Sequence, residues 1–219
     1  SVLLNVSHGE KMQPLRIFIG FDKREAVAFS VLAHSIQERS SIPIAIIPVT
    51  LANLRECYWR TKDPKQSTDF SFSRFLVPYL CEYKGTAIFM DCDMLCRGDI
   101  AELNDKFDLF SAVQVVKHSY TPKTETKFLG QGQTKYEKKN WSSVMLFNCA
   151  NTRCKDLTKE YVNSASGLDL HQFKWADDLV GELPPEWNHL VGEYPYRPDA
   201  KLVHFTIGGP YFHEYENCD

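Results

Sequence analysis

The chain has 219 residues, which is enough for one large domain or two small ones. Its hydrophobic share of 43% and charged share of 24% are ordinary for a globular protein. The net charge of −3 gives no basic field that would attract nucleic acid. No apolar run approaches the roughly 18 residues that a transmembrane helix needs. We therefore expect neither a nucleic-acid partner nor a transmembrane segment.

Seven cysteines are present, an odd number, and none forms a Cys-x-x-Cys pair. Several lie inside apolar runs such as "LFNC" and "YLCEY". This pattern favours buried, reduced thiols over a disulfide framework or a zinc site. We expect a reducing, cytoplasmic compartment, and association with the surface of a membrane stays open.

The chain opens with a predicted β-α-β unit. "LRIFIGF" (15–21) is short, apolar and rich in β-branched and aromatic residues, as a buried strand is. Apolar residues at helical spacing predict a helix from about Arg24 to Glu38, and "IAIIPV" (44–49) predicts a second strand. Such a unit predicts a parallel strand pair.

Strands and helices continue to alternate after this unit, which predicts a single α/β domain, Rossmann-like, with a central, mostly parallel sheet flanked by helices. We expect residues 1–12 to be mobile and residues 13–219 to form this domain. The remaining predicted elements are helices at 70–83, 98–103, 152–165 and 170–183, strands at 86–90, 109–116, 143–148 and 201–205, and long loops at 51–70 and 117–139.

Two carboxylates follow the predicted strand in "AIFMDCDML" (87–95). Alternate residues of an extended segment point the same way, so Asp91 and Asp93 can converge. Carboxylates that close repel each other unless a cation lies between them. Oxygen ligands suit Mg²⁺ or Mn²⁺, which bridge carboxylates to phosphate oxygens. The 14 aspartates would give about one such triplet by chance, so its position after a β-α-β unit carries the inference.

Five segments, in order, resemble the GT-A glycosyltransferases, especially the glycogenin-like family 8 and its lipopolysaccharide hexosyltransferase relatives. The segment "AIFMDCDMLCRGDIAEL" resembles the strand of that family that ends in Asp-x-Asp and the helix that follows it. Together the five segments span about residues 15–212, and the resemblance implies a nucleotide-binding half at about 13–105 and an acceptor half at about 106–219. The other four are "FSFSRFLVPYL", "WSSVMLFNC", "WADDLVGELPPEWN" and "VHFTIGGPYF".

The resemblance implies a GT-A fold and a metal-dependent enzyme that moves a hexosyl or deoxyhexosyl group from a nucleoside-diphosphate sugar, most readily a UDP-sugar, to a hydroxyl of a glycan, polysaccharide or glycoprotein. It implies Mn²⁺ or Mg²⁺ as the cofactor, held by Asp91, Asp93 and His204, with a ribose contact as the other role for Asp91. The implied donor-binding positions are Phe21, Asp22, Arg24, Arg74, Asp91, Cys92, Ser143, Gly208 and Gly209.

Several of these positions have a second interpretation. Arg74 lies among apolar residues, so it either contacts the donor or pairs with a structural carboxylate. Gly208 and Gly209 either form a plain turn or let backbone N–H groups approach phosphate. Cys92 should point away from its two aspartate neighbours, into the core.

The segment around Asp177 and Asp178 departs from the family pattern. Retaining relatives have a Gln in the aligned Asp-Gln-Asp, whereas this chain has Ala176 or Asp177 there. An acidic pair could instead supply the general base of an inverting enzyme, so we predict Asp177 and Asp178 as catalytic and leave the stereochemical course open. The family's lysine near the diphosphate is also absent, and Arg24, Lys174 or Arg197 could replace it.

Other functions compete with this hypothesis. Haloacid-dehalogenase-like phosphatases also place Asp-x-Asp after an apolar strand, although usually after the first strand of the domain. A nucleotidyltransferase would need a Gly-rich basic loop after the first strand, where this chain has "GFDKREA". A non-catalytic module that binds nucleotide sugars is the third alternative.

Overall fold

Nine strands and five α-helices are assigned in a computed structural model that describes residues 13–64, 66–119 and 137–217. Predictions that concern residues 1–12, and the larger part of the predicted loop at 117–139, lie outside the described residues. The strands are β1 Leu15–Gly20, β2 Ile44–Val49, β3 Thr86–Met90, β4 Met94–Cys96, β5 Val113–Val115, β6 Val144–Asn148, β7 Val180–Glu182, β8 His189–Leu190 and β9 Leu202–His204. The helices are α1 Ala26–Gln37, α2 Val77–Leu80, α3 Ile100–Asn104, α4 Lys159–Ser164 and α5 Gly167–His171.

The central sheet has six strands in the order β2-β1-β3-β6-β5-β7. β1 pairs in parallel with β2 and with β3, and β5 pairs in parallel with β7. β6 runs antiparallel to both of its neighbours, β3 and β5. The predicted α/β fold with a mostly parallel sheet is confirmed, and so is the opening β1-α1-β2 unit.

A second sheet of three strands, in the order β4-β9-β8, joins distant parts of the chain. β4 pairs antiparallel with β9, so that Met94 lies opposite His204. The backbone N–H of Phe205 donates to the carbonyl of Asp93 at 2.9 Å, which extends this pairing by one residue. The sequence did not predict β4 or β8, yet this pairing carries His204 to the end of β3.

The helix predicted over 170–183 is wrong. The chain instead makes a 3₁₀ turn at Lys174–Ala176 and then enters the edge strand β7. Phe173 and Asp177 have φ of +59° and +54°, so each interrupts right-handed helical geometry. Gly181 then lies so close to β5 that an added Cβ would be 2.3 Å from Ser111 Oγ. Tertiary packing therefore overrides the apolar spacing of this segment.

Two further helices are shorter than predicted. Over 70–83 the chain forms a 3₁₀ turn at Ser73–Leu76 followed by α2, and Glu82 and Tyr83 end the segment with positive φ. Over 152–165 only α4 is α-helical, and it begins where the Thr158 side chain accepts a hydrogen bond from the N–H of Tyr161.

The core fills the space between the central sheet and the helices. The six cysteines among the described residues are all buried and free, as expected for thiols that pack as small apolar groups. Within the described ranges, no helix combines the length and the apolar composition that crossing a bilayer requires.

One side chain at the start of α3 suggests a stability test. The Asp99 carboxylate accepts hydrogen bonds from the N–H of Ala101 and from the N–H of Ser41. A hydrogen bond with the Ser41 side chain, and after it these two backbone bonds, lowers the pKa of Asp99 below 3.8. Asp99→Ala should lower the free energy of unfolding by about 1 kcal/mol in urea denaturation near neutral pH. Because the folded-state pKa is lowered, this contribution is present above the unfolded-state pKa and is lost on acidification.

Asp105, at the other end of α3, offers a matched control because it is exposed and the structure records no side-chain cap there. Asp105→Ala should change the free energy of unfolding by no more than about 0.5 kcal/mol. Equal losses in the two variants would contradict the capping role of Asp99.

Candidate metal and donor site

A cavity opens beside the ends of β1 and β3. Three carboxyl groups and one guanidinium line it, those of Glu25, Asp91, Asp93 and Arg74. The imidazole of His204 lies beside them in the wall. Asn140 and His171 also line the cavity, together with a band of hydroxyl groups from Ser67, Thr68, Ser71, Ser142, Ser143 and Thr206. The wall is thus rich in oxygen atoms and carries more acidic than basic groups.

The three predicted metal ligands come together in this cavity. One ligand atom from each of Asp91, Asp93 and His204 lies within 4.8 Å of the other two. His204 Nε2 is 3.1 Å from Asp93 Oδ1 and 3.9 Å from Asp91 Oδ2. The pairing of β4 with β9 produces this convergence across 111 residues of sequence.

The unpaired atoms of the wall are consistent with a bound cation. Asp93 Oδ1, Glu25 Oε2 and Thr206 Oγ1 are buried and make no hydrogen bond within the described residues. Buried carboxylate oxygens without donors are costly unless a positive charge lies close to them. Two carboxylates and one imidazole also form a donor set suited to Mn²⁺ or Mg²⁺. The residues present therefore fit a divalent metal ion.

Arg74 holds one of the candidate ligands. Its Nη1 lies 2.7 Å from Asp91 Oδ1 and also donates to the Ser142 carbonyl at 2.9 Å. Its Nε donates to the Phe70 carbonyl at 3.2 Å, and the guanidinium lies 4.9 Å from the centre of the Phe89 ring. Arg74 therefore pairs with a carboxylate that is itself a candidate metal ligand, and its predicted donor contact stays a prediction. It is the only lysine or arginine that lines the cavity in the described part of the chain.

Asp22 and Arg24 form a bidentate ion pair next to the cavity. Arg24 donates to Asp22 Oδ1 from Nε at 3.0 Å and to Oδ2 from Nη2 at 2.6 Å, and the N–H of Asp69 donates to Oδ2 at 3.2 Å. Burial alone would raise the pKa of Asp22, but hydrogen bonds from the side chain and backbone of Arg24 and from Asp69 outweigh it and lower the pKa. The pair ties the 67–69 segment to the end of β1, so both side chains already have partners within the protein.

The other predicted donor positions are divided between the cavity wall and the core. Ser143 lines the cavity. Phe21 packs edge-on against Phe29, with ring centres 5.5 Å apart, and Cys92 is fully buried in the core. Gly208 and Gly209 are buried, and neither is among the described residues that line the cavity.

The structure does not bring Asp177 and Asp178 to the cavity wall. Both are exposed, and Asp177 pairs with Arg153 at 3.3 Å. The proposed substitutes for the missing lysine are also engaged elsewhere. Lys174 pairs with Asp169, Arg197 lies 3.7 Å from carboxylates of Glu186 and Asp199, and Arg24 pairs with Asp22.

Glu25 is the main cavity residue that the sequence did not reveal. It is 2% exposed, and burial, followed by the charges of Asp93, Asp22 and Asp91, raises its pKa to about 9. In the sequence it follows a lysine and an arginine at a helix start, where a glutamate is ordinarily solvated. No local signal distinguishes it from such a residue, because its burial depends on contacts with distant segments.

The sequence also gave no role to other residues of the wall, such as His171 and Thr68. His171, to which the sequence gave no role, hydrogen-bonds through Nδ1 with Ser142 Oγ at 2.7 Å. Thr68 belongs to a segment that reads only as a polar loop.

Comparison with known proteins identifies one relative by sequence and several proteins by fold. No family model matches the chain. The chain is 46% identical over 215 residues to Protein CDI of Arabidopsis thaliana, a match that covers 94% of this chain and 83% of that protein. The chain belongs to the family of Protein CDI. The name of that relative specifies neither a donor nor an acceptor.

Solved glycosyltransferases share the fold of this CDI-family chain. The bifunctional glycosyltransferase WbbM has a TM-score of 0.63 at 16% identity, over 90% of this chain and 46% of WbbM. The chain thus spans about half of the WbbM chain. The galactosyltransferase LgtC, solved with donor and acceptor sugar analogues, has a TM-score of 0.55 at 14% identity over 93% of this chain and 91% of its own. Mouse xyloside xylosyltransferase 1 has a TM-score of 0.55 at 13% identity, over 90% of this chain and 100% of its own. The chain has the GT-A glycosyltransferase fold.

The raised pKa of Glu25 predicts how stability depends on pH. The folded state keeps the Glu25 proton up to about pH 9, whereas the unfolded chain loses it near 4.5, so metal-free protein should lose stability as the pH rises between these values. From about pH 5 to about pH 8.5, the free energy of unfolding of Glu25→Gln, which mimics the protonated acid, should rise relative to that of wild type by on the order of 4 kcal/mol. Urea unfolding in the presence of a chelator at both pH values measures this gain.

Glu38, exposed at the other end of α1, gives the control variant Glu38→Gln. Its stability relative to wild type should not change by more than a few tenths of a kcal/mol between the two pH values. A Glu25→Gln difference that is independent of pH would show that Glu25 is ionised in the folded protein.

Proposed function

We propose that this chain is a metal-dependent glycosyltransferase that moves a sugar from a nucleoside-diphosphate sugar to a hydroxyl acceptor. The observation that carries the proposal is the Asp91, Asp93 and His204 group, with ligand atoms within 4.8 Å of one another, next to β3 of a GT-A fold. In sheets of this type, ligands bind at the carboxyl ends of the parallel strands. The solved proteins of the same fold add support through the glycosyl transfer that their names state.

The chemistry follows from the charges of the wall. A divalent ion, when bound, would offset the negative charge that develops on the departing nucleoside diphosphate. Asp91, Asp93 and His204 would hold that ion, and Arg74 keeps Asp91 in position through its ion pair and its bond to Ser142. The hydroxyl band of the wall offers donors and acceptors for phosphate and sugar oxygens.

The finer assignments belong to the same proposal. We assign a UDP-sugar as the donor, Mn²⁺ or Mg²⁺ as the ion and glycan biosynthesis as the role of a family 8-like enzyme of open stereochemical course, and we place this enzyme in the cytoplasm. The group that is transferred is a hexosyl or a deoxyhexosyl group. A phosphatase would need Asp91 as a freely approachable nucleophile, and the ion pair with Arg74 opposes that role.

Removal of a metal ligand provides the direct test. Wild type should show a higher melting temperature with Mn²⁺ and one nucleoside diphosphate or nucleotide sugar from a panel, and should hydrolyse or transfer that sugar. Asp93→Asn should lose the ligand-induced shift and lower turnover by about 100-fold or more, because the metal loses an anionic ligand. Thermal shift and nucleotide release, each with and without chelator, measure the two effects.

Asp105→Asn, a change at the exposed aspartate that follows α3, serves as the control and should behave as wild type. Undiminished activity of Asp93→Asn, or of wild type in excess chelator, would refute the metal role. A shift in wild type without any sugar hydrolysis or transfer would favour the non-catalytic binding module.

The general-base role of Asp177 and Asp178 stays a prediction and has its own test. If one of them takes the proton of the acceptor hydroxyl, its Asn variant should lose about 100-fold or more in maximal rate while donor-induced stabilisation is unchanged. Steady-state rates of Asp177→Asn and Asp178→Asn decide this. Near-wild-type rates in both variants would remove the assignment and with it the argument for an inverting course.

A further inference from the structure

The imidazole of His204 is connected to the backbone by a chain of hydrogen bonds. His204 Nδ1 lies 3.0 Å from Asn188 Oδ1, and Asn188 Nδ2 donates to Ser143 Oγ at 2.8 Å. Ser143 Oγ in turn donates to the backbone carbonyl of Asn140 at 2.6 Å. Asn188 is fully buried and His204 is 2% exposed, so this chain of bonds lies inside the protein.

The backbone carbonyl at the end fixes the direction of every bond in the chain. A carbonyl oxygen can only accept a hydrogen bond, so Ser143 must donate its one hydroxyl proton to the carbonyl of Asn140. The Ser143 oxygen can then only accept from Asn188, which places the amide NH₂ toward Ser143 and the amide oxygen toward His204. That oxygen is an acceptor, so Nδ1 of His204 must carry a proton.

A proton fixed at Nδ1 determines what the other ring nitrogen can do. Neutral His204 then presents the lone pair of Nε2, which lies 3.1 Å from Asp93 Oδ1 and 3.9 Å from Asp91 Oδ2. A lone pair directed at two carboxylates is repelled, and a cation among the three groups removes that repulsion. The bond chain therefore prepares Nε2 to bind a cation.

We infer that Asn188 is a positioning residue that fixes the tautomer of His204 for metal binding. The inference rests on the proposed function, because it assumes that the Asp91, Asp93 and His204 group binds a metal. Asn188 does not line the cavity, and among the three candidate metal ligands its side chain bonds to the His204 imidazole. Partners of this kind orient ligating histidines, and their loss typically weakens metal affinity about 10-fold to 100-fold.

The test compares two variants of Asn188 with wild type. Asn188→Leu removes the acceptor of the Nδ1–H bond, so the Nδ1–H proton resonance of ¹⁵N-labelled His204 should move upfield. The apparent affinity for Mn²⁺ alone, titrated by electron paramagnetic resonance, should fall about 10-fold or more. Asn188→Asp keeps an acceptor oxygen toward Nδ1 and should retain a downfield Nδ1–H resonance and recover most of the affinity. Neither readout depends on catalysis.

A buried asparagine outside the cavity controls for general destabilisation. Asn148 on β6 is 7% exposed and donates to the Leu109 carbonyl, so Asn148→Leu loses a comparable bond without touching His204. It should leave the His204 resonance and the Mn²⁺ affinity unchanged. Wild-type affinity and an unmoved Nδ1–H resonance in Asn188→Leu would overturn the inference.

The outcomes also separate this inference from the proposed function. Absence of Mn²⁺ binding in wild type would count against the metal role in the proposed function, while the Nδ1–H resonance of metal-free protein would still decide whether Asn188 fixes the tautomer. Normal Mn²⁺ binding in wild type together with an unaffected Asn188→Leu variant would overturn only the role of Asn188.

Discussion

The structure around the cavity depends on one electrostatic constraint, the crowding of carboxyl groups in a place that water reaches poorly. Asp91 and Asp93 keep side-chain exposures of 17% and 14%, and Glu25 beside them is 2% exposed. Three such groups cannot all be ionised at low cost when Arg74 is the one guanidinium that the described residues bring to the wall. The raised pKa of Glu25 is the response of the metal-free protein, and a bound divalent ion would be the other solution.

The constraint is maintained by backbone pairing, which keeps the charged groups from moving apart. Asp93 is fixed by the bond from the N–H of Phe205 to its carbonyl, beside the β4–β9 pair that also carries His204. Asp91 is fixed by the bond from its own N–H to the carbonyl of Ser143 at 2.9 Å. The free energy that holds like charges together therefore comes from the two sheets and their core.

The sequence predicted the parts of the molecule that local patterns determine. β1, β2, β3 and α1 follow from apolar periodicity, and the convergence of Asp91, Asp93 and His204 follows from the resemblance to GT-A enzymes. Glu25 and Asn188 could not be assigned roles from local patterns, because their roles depend on burial and on partners far along the chain. The helix expected over 170–183 failed for the same reason, since its apolar residues pack around left-handed residues and an edge strand.

The 140–143 turn links the two sides of the candidate site. Ser142 accepts from Arg74, which holds Asp91, and Ser143 accepts from Asn188, which holds His204. Asn140 anchors the turn by accepting from both the N–H and the hydroxyl of Ser143, and its own φ is +62°. A shift of this turn would therefore move both partners at once. Ser142 also bonds through its hydroxyl to Nδ1 of His171, so the same turn holds a third side chain of the cavity wall.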